Sequence, residues 1–314
     1  RYLIELLGII ILVFSAIFFI STPKDSISFV GTLGVFAFGA QRMLPSMQHL
    51  YNGFVNMKAY HLSLDRIIFF LGEKRKVKKD LNDNLKLKKS IEFKKVKFSY
   101  DQDNIKFVKQ LDLNFVVGDM IGIEGKTGSG KSTMIDLLLG FLRPISGKIL
   151  FDGKDINAKR HFNFKECMQN RISHVPHSVF LSNTTIKENI AFGTSPQSLN
   201  KKKIDLVAKI SQISQKINNM PAAFNSKVGE DGDLLSTGQK QRIGIARALY
   251  DDFDILILDE ATSSIDVKTE SLILNEIKKM FGHESIIIII SHRKNSFKFC
   301  NKIINFDKKK IVVS

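Results

Sequence analysis

Apolar residues along this chain fall into three regimes. Leu3 to Ile20 is apolar throughout except for Glu5, and about 18 residues of this kind are long enough to cross a hydrocarbon core as one helix. A short turn, Ser21 to Ser26, separates it from a second apolar stretch running from Ile27 to Ala40 and on through Gln41 and Arg42 to Leu44. Gly31, Gly34, Ala37, Gly39 and Ala40 are the small residues that let membrane helices pack closely. Beyond Pro45 the pattern changes. Met47, Leu50, Phe54, Met57, His61, Leu64, Ile68 and Leu71 recur at spacings of three and four, which predicts the seam of a long amphipathic helix. From Gln41 to Leu71 it measures about 45 Å at 1.5 Å per residue. The alternative is a globular-domain helix broken at Pro45, preferred if no membrane span precedes it. Glu73 to Ser90, rich in Lys and Asn, reads as a solvated linker. After residue 90 the apolar runs become short. Met120–Glu124, Ile255–Leu258 and the isoleucine run that precedes Ser291 have the length and uniform hydrophobicity of strands buried on both faces, and Ser132 to Leu139 reads as a helix.

Composition narrows the function classes. The chain has 314 residues, 44% of them hydrophobic, enough for one sizeable core plus additional elements. Its formal charge of +16 raises nucleic acid as a partner. The Lys-rich runs, however, lie beside an apolar segment or are scattered along the rest of the chain, so an anionic membrane surface accounts for them better, and no nucleic-acid partner is expected. The turn at residues 21–26 holds just Lys24 and Asp25, while Lys and Arg crowd the segment after Arg66. That asymmetry places the C-terminal side in the cytoplasm and predicts two antiparallel spans, about 3–20 and 27–44, in an inner or cytoplasmic membrane. Cys167 and Cys300 lack metal-ligand spacing and read as packing residues.

Three motifs carry the chemistry. GKTGSGKST, Gly125 to Thr133, fits the glycine-rich loop whose backbone N–H groups wrap a polyphosphate, with Lys131 reaching the terminal phosphates and Ser132 meeting Mg²⁺. LLSTGQKQR, Leu234 to Arg242, follows about a hundred residues later, and ILILDEATS, Ile255 to Ser263, about twenty residues after that. In this order and spacing, residues 91 to 314 resemble the nucleotide-binding domain of an ATP-binding-cassette transporter. The expected fold is therefore an α-helical transmembrane segment (residues 1–72), a linker (73–90) and an α/β P-loop NTPase domain of ATP-binding-cassette type (91–314). The hairpin, long exit helix and linker are similar to the last two transmembrane helices of an exporter half-transporter. That family carries six helices in this half, so four are expected upstream and the chain reads as a fragment.

The resemblance implies roles residue by residue. Gly125, Lys126, Thr127, Gly128, Ser129, Gly130, Lys131, Ser132 and Thr133 hold the ATP phosphates, and Tyr100, in VKFSYD, stacks on adenine. Ser132 and Asp259 serve Mg²⁺, Glu260 polarises the attacking water, and His292 contacts the γ-phosphate. Ser236, Gly238 and Gln239 grip ATP bound to the opposite subunit, and Asp266 lies in a loop crossing the same interface. A homodimer of the full-length chain with two composite sites follows from the presence of one such domain. Glu230, in KVGEDG, matches an exporter-specific loop.

Two positions depart from the family pattern. His177 stands where the family has a Gln that senses Mg²⁺ and the attacking water; imidazole is a poor Mg²⁺ ligand, so either coupling is altered or His177 bonds the water. Thr237 replaces a glycine and is harmless where the native φ is negative. FAFGAQRMLPS, Phe36 to Ser46, resembles a segment of bacterial lipid-linked oligosaccharide flippases. The resemblance thus implies an ATP-driven flippase working among membrane lipids on a lipid-linked glycan. Export of a lipid A-like lipid, drug or peptide is the alternative, and a catalytically impaired cassette ATPase a second one.

Overall fold

The structure is a computed structural model describing residues 26–72, 86–100, 110–157, 168–307 and 312–313, together with Ile10, Val13, Phe14 and Ile17. The expected first span lies outside the described residues apart from those four positions, as do the turn at 21–25, linker residues 73–85 and Cys167. The chain divides into two compact units, residues 1–79 and 80–314.

In the first unit, one helix, α1, runs from Ser26 to Gly72 and passes through Pro45 without ending. Pro45 removes one backbone donor, so the carbonyl of Gln41 loses its helical partner, yet the flanking turns hold the helix continuous. At 47 residues α1 is about 70 Å long. A single apolar seam does not describe it: Tyr51, Val55, Tyr60, Ile67, Phe69 and Phe70 are exposed on it alongside the predicted Leu50, Phe54, Met57 and Leu64. Apolar side chains therefore surround the helix instead of lining one stripe. Among the described residues, no helix is long and apolar enough to cross a membrane.

The second unit is built on two sheets. A four-stranded antiparallel sheet has the order β2-β1-β4-β5, with β1 Ser90–Lys97, β2 Leu111–Val116, β4 Ser146–Phe151 and β5 Lys154–Asp155. A six-stranded sheet has the order β10-β9-β3-β8-β7-β6, from β3 Met120–Glu124, β6 Ile172–Val175, β7 Ile255–Asp259, β8 Ile286–Ile290, β9 Lys302–Asn305 and β10 Val312–Val313. Its five strands from β9 to β6 are parallel; β10 joins antiparallel at the edge.

Alternation explains why the central strands are apolar at every position. Ile255 and Ile257 of β7, and Ile286, Ile288 and Ile290 of β8, belong to a core shared with Phe93, Phe115, Ile149 and Phe151 of the antiparallel sheet. Leu256, Leu258, Ile287 and Ile289 point the other way, into a second core with Ile204 and Val207 of helix α3 (Lys201–Ile210), Ile243 of α4 (Thr237–Tyr250) and Ile273 of α5 (Val267–Phe281). Each fully buried side chain of this size contributes about 1.5 to 3 kcal/mol of transfer free energy, so a strand needs neither face for polar residues. Chemistry is left to the strand ends.

Residues at the end of the expected linker belong to this unit. Leu87 is buried, and its amide donates to Oδ2 of Asp254 at 2.7 Å. Asp254 is itself fully buried and receives Arg171 through Nη2 at 2.7 Å and Nε at 3.2 Å. Removing the carboxylate strands the guanidinium and an amide, so Asp254→Ala is expected to lower unfolding stability by about 3 to 5 kcal/mol. Denaturant unfolding followed by far-UV circular dichroism measures this; a loss below about 1 kcal/mol would remove Asp254 as the anchor of this segment.

Candidate functional site

The order of the parallel strands decides what can meet. β8 lies between β3 and β7, and β7 between β8 and β6. The segments leaving their C-terminal ends are Gly125–Gly130 after β3, Ser291–Arg293 after β8, Glu260–Asp266 after β7 and Pro176–His177 after β6, and they line up along one edge of the sheet. Tyr100, Thr127, Gly128, Gly130, Lys131, Ser132, Thr133, Asp259 and Glu260 line a cleft of about 280 Å³ there.

The loop before helix α2 (Lys131–Leu138) is shaped by glycine. A Cβ on Gly125 would lie 2.7 Å from Ser129 Oγ and 2.9 Å from Phe306 Cβ, whereas Gly128, at φ 79°, has open space where a Cβ would be. Gly130, at φ 104°, sets the chain into α2. Lys131 is buried, and Nζ donates to the carbonyls of Gly125 at 2.5 Å and Lys126 at 3.0 Å, bracing the loop. The Lys126 amide donates to Asp307 at 2.6 Å, fixing the loop's other side. Ser129 Oγ is buried without a hydrogen-bond partner. An orphaned hydroxyl, an open glycine face and a helix N-terminus on one concave surface suit an anion carrying several oxygens. Tyr100 is exposed at the rim, with its ring edge-on to Phe98 at 4.9 Å and its hydroxyl 3.0 Å from Thr133 Oγ1.

Asp259 and Glu260 diverge because the backbone turns between them. Asp259 still pairs with Ile290 across β7 and β8, but Glu260 has left the ladder at φ 52°, a left-handed conformation that costs a non-glycine residue about 1 to 3 kcal/mol. Its amide donates to the Ile290 carbonyl at 3.0 Å. The Glu260 carboxylate meets His292 Nε2 at 3.0 Å through Oε1 and His177 Nδ1 at 3.5 Å through Oε2. Burial raises the Asp259 pKa, with His174 and His177 opposing and Glu260 reinforcing. His174, one strand away on β6, is pushed down by burial, and its Nε2 is buried without a partner. Among the described residues no group of three His, Cys, Asp or Glu side chains could hold a metal alone. Ser132 and Asp259, facing one cleft, would complete a metal's shell only with oxygens from a ligand.

Ser236, Gly238 and Asp266 lie elsewhere. With Thr237, Arg242, Ser264 and Ile265 they line a separate cleft of about 490 Å³. Ser236 caps α4 in a reciprocal arrangement, Ser236 Oγ accepting from the Gln239 amide at 3.3 Å and Gln239 Oε1 accepting from the Ser236 amide at 3.1 Å. The Gln239 side chain is thus engaged with its own helix. Asp266 caps α5, accepting from the Thr269 amide at 2.9 Å. Thr237 occupies the first helical position and has no positive φ, so the departure there carries no strain. A Cβ on Gly238 would lie 2.7 Å from the Ser264 carbonyl, so glycine is required for α4 to start against that loop. Glu230 opens a turn at residues 230–232, entered through Gly229 at φ 82°.

Three residues that were not predicted tie these loops together. Buried Gln241 donates to Ser263 Oγ at 3.1 Å and to the His177 carbonyl at 3.4 Å, and accepts from the Ser264 amide at 2.9 Å. Arg293, beside His292, donates to the carbonyls of Ile265 at 2.6 Å and Ser263 at 2.7 Å. Its partner Glu270 is buried and also accepts from Thr262 and Ser296, each at 2.7 Å. In sequence the signal was faint: an Arg one position after a candidate histidine, and a Gln two positions after Gln239.

Residues 108–263 match the family model described as ABC transporter. The chain is 35% identical to the heterocyst differentiation ATP-binding protein of Nostoc over 90% of its own length and 46% of that protein's. It is 34% identical to the ATP-dependent lipid A-core flippase of Chromohalobacter salexigens over 71% of its own length and 38% of the flippase. A bacterial Atm1-family ABC exporter with ATP bound shares the fold at a TM-score of 0.70 and 28% identity, covering 90% of this chain and 49% of that one. The chain therefore spans half or less of each of these proteins.

The raised Asp259 pKa has a consequence for stability. A raised carboxylate pKa means that the folded protein holds this proton more tightly than the unfolded chain, so the contribution is full below pH 3.8 and is lost as pH rises through the folded value. In Mg²⁺-free buffer Asp259→Asn is thus expected to raise Tm at pH 7, with the gain vanishing as pH falls through about 4. A gain that stays constant across this range would exclude burial of the charge as its cause.

Proposed function

This chain belongs to the ABC transporter family, and we propose that it hydrolyses ATP to drive export across a membrane as one half of a homodimer. The observation that carries this reading is the division of labour between two clefts. The phosphate loop, Asp259 and Glu260 line one, while Ser236, Gly238 and Asp266 line another, and the two share no lining residue. Each chain thus presents two half-sites, and a second copy related by a two-fold axis supplies the complement to both.

Within a composite site, Gly125 to Thr133 hold the phosphates and Tyr100 offers its exposed ring to adenine. Mg²⁺, held by Ser132 and reached by Asp259 through water, would neutralise charge on the phosphate oxygens. Glu260, held between two imidazoles, accepts a proton from the attacking water, and His292 lies beside it to meet the terminal phosphate. From the opposite chain, Ser236 and Gly238 close over the nucleotide, with Asp266 capping the helix beside them.

The proposed cargo is a lipid-linked oligosaccharide or polysaccharide precursor, supported by the resemblance of the segment Phe36 to Ser46. Export of a lipid A-like lipid is the second reading, favoured by the flippase relative. Helix α1 supports a membrane setting, because a helix surrounded by exposed apolar side chains needs cover on every side. The proposed spans at about 3–20 and 27–44, with the ATPase domain in the cytoplasm of an inner membrane, rest on the apolar runs of the sequence and not on α1, which is not apolar enough to cross a membrane as described.

Two experiments test it. With the full chain in lipid vesicles, Glu260→Gln is expected to leave ATP affinity within about twofold and to cut turnover by about 10² to 10⁴. A lipid-pyrophosphate oligosaccharide should stimulate wild type; stimulation by lipid A alone would redirect the cargo, and wild-type turnover in Glu260→Gln would remove Glu260 as the base. Separately, cysteines placed at Ser236 and Thr127 should crosslink between chains when ATP is added. Crosslinks confined to single chains would refute the composite site.

A further inference from the structure

His177 stands where the family resemblance implies a glutamine, and its surroundings give the imidazole a definite neighbour. β7 lies between β8 and β6, so the loops carrying His292 and His177 flank Glu260 from opposite sides. The two rings divide the carboxylate, His292 Nε2 at 3.0 Å from Oε1 and His177 Nδ1 at 3.5 Å from Oε2. Beneath the ring, the His177 carbonyl accepts from buried Gln241, which also holds Ser263 and Ser264 in the loop after Glu260. Base and imidazole are thus referenced to one buried amide. The Glu260 backbone is fixed as well, by φ 52° and by the bond from its amide to Ile290.

We propose that His177 is a positioning residue for Glu260, its Nδ1 standing within ion-pair reach of Oε2 so that the carboxylate keeps one orientation with lone pairs turned to the cleft, and that it is not a metal ligand. This rests on the reading that Glu260 is the base for ATP hydrolysis. A glutamate side chain has three rotatable bonds, and an imidazole beside one oxygen alone leaves the carboxylate free to turn; a second imidazole beside the other oxygen limits that rotation. Imidazole suits that task better than it suits Mg²⁺, which prefers oxygen ligands.

The test uses the full chain in lipid vesicles with Mg²⁺ and ATP. His177→Leu removes the donor from a half-exposed position and is expected to lower kcat about 3- to 30-fold, with KM for ATP and the half-saturating Mg²⁺ concentration within twofold. His177→Asn, whose Nδ2 stands near the position of imidazole Nδ1, is expected to recover most of the rate. In a Glu260→Gln background, His177→Leu should cause no further loss in single-turnover rate, because two residues acting as one unit do not multiply. A shifted Mg²⁺ requirement at unchanged kcat would assign His177 to the metal and overturn the proposal. So would losses that multiply with Glu260→Gln, or a His177→Leu chain as fast as wild type. These results leave the ATPase reading intact, whereas full activity of Glu260→Gln alone overturns both.

Discussion

The layout of the second unit follows from burying both faces of β3, β7 and β8. With isoleucine or leucine at nearly every position, these strands leave no lateral surface for polar groups. Polar side chains can emerge only where a strand stops. Because the strands are parallel, they stop on the same side, and the strand order puts the Glu260 loop between the loops bearing His292 and His177. A site assembled from segments as far apart in sequence as those carrying Gly125 and His292 thus needs no long-range coincidence beyond strand pairing.

Burial of charge has been kept to places where it fixes a loop. Glu270 and Arg293 form an ion pair with the carboxylate almost fully buried, an arrangement that hydrophobic residues of similar volume could replace without loss of stability. What such replacements could not supply is direction. Arg293 directs its donors to carbonyls of the Thr262–Ile265 segment while standing next to His292, so the loop after β7 and the loop after β8 cannot move independently. Gln241 repeats the arrangement from the other side, joining the same segment to His177. The region after Glu260 is therefore tied to both of its neighbours.

Much of this was legible in the sequence. Apolar runs located β3, β7 and β8, because a strand buried on both faces has no polar alternation to hide it, and the glycine spacing located the phosphate loop. Other features were not legible, for identifiable reasons. Leu87 lies in a Lys-rich segment that reads as linker, yet Asp254 far along the chain needs its amide. Gln239 and Asp266 are helix caps as well as motif residues, and a motif does not say which partner claims a side chain. Apolar positions at three and four residues predicted the helix over 41–71 correctly, but the seam drawn through them ignored Tyr51, Val55, Phe69 and Phe70 between them. Periodicity reports that a helix exists more reliably than it reports what covers it.

The capping of α4 also accounts for why Thr can stand at 237. Ser236 and Gln239 satisfy each other, so the cap consumes the Gln239 amide and leaves the amides of Thr237 and Gly238 as helix donors without an intrahelical acceptor. In the composite site proposed above, those two N–H groups, at the positive end of a 14-residue helix, are what this start would offer an anion held by a second chain. An amide is common to threonine and glycine. At position 238 the side chain matters, because the Ser264 carbonyl leaves no room for a Cβ; at 237 the backbone is helical, the side chain is exposed, and the composite site proposed above loses nothing by the substitution.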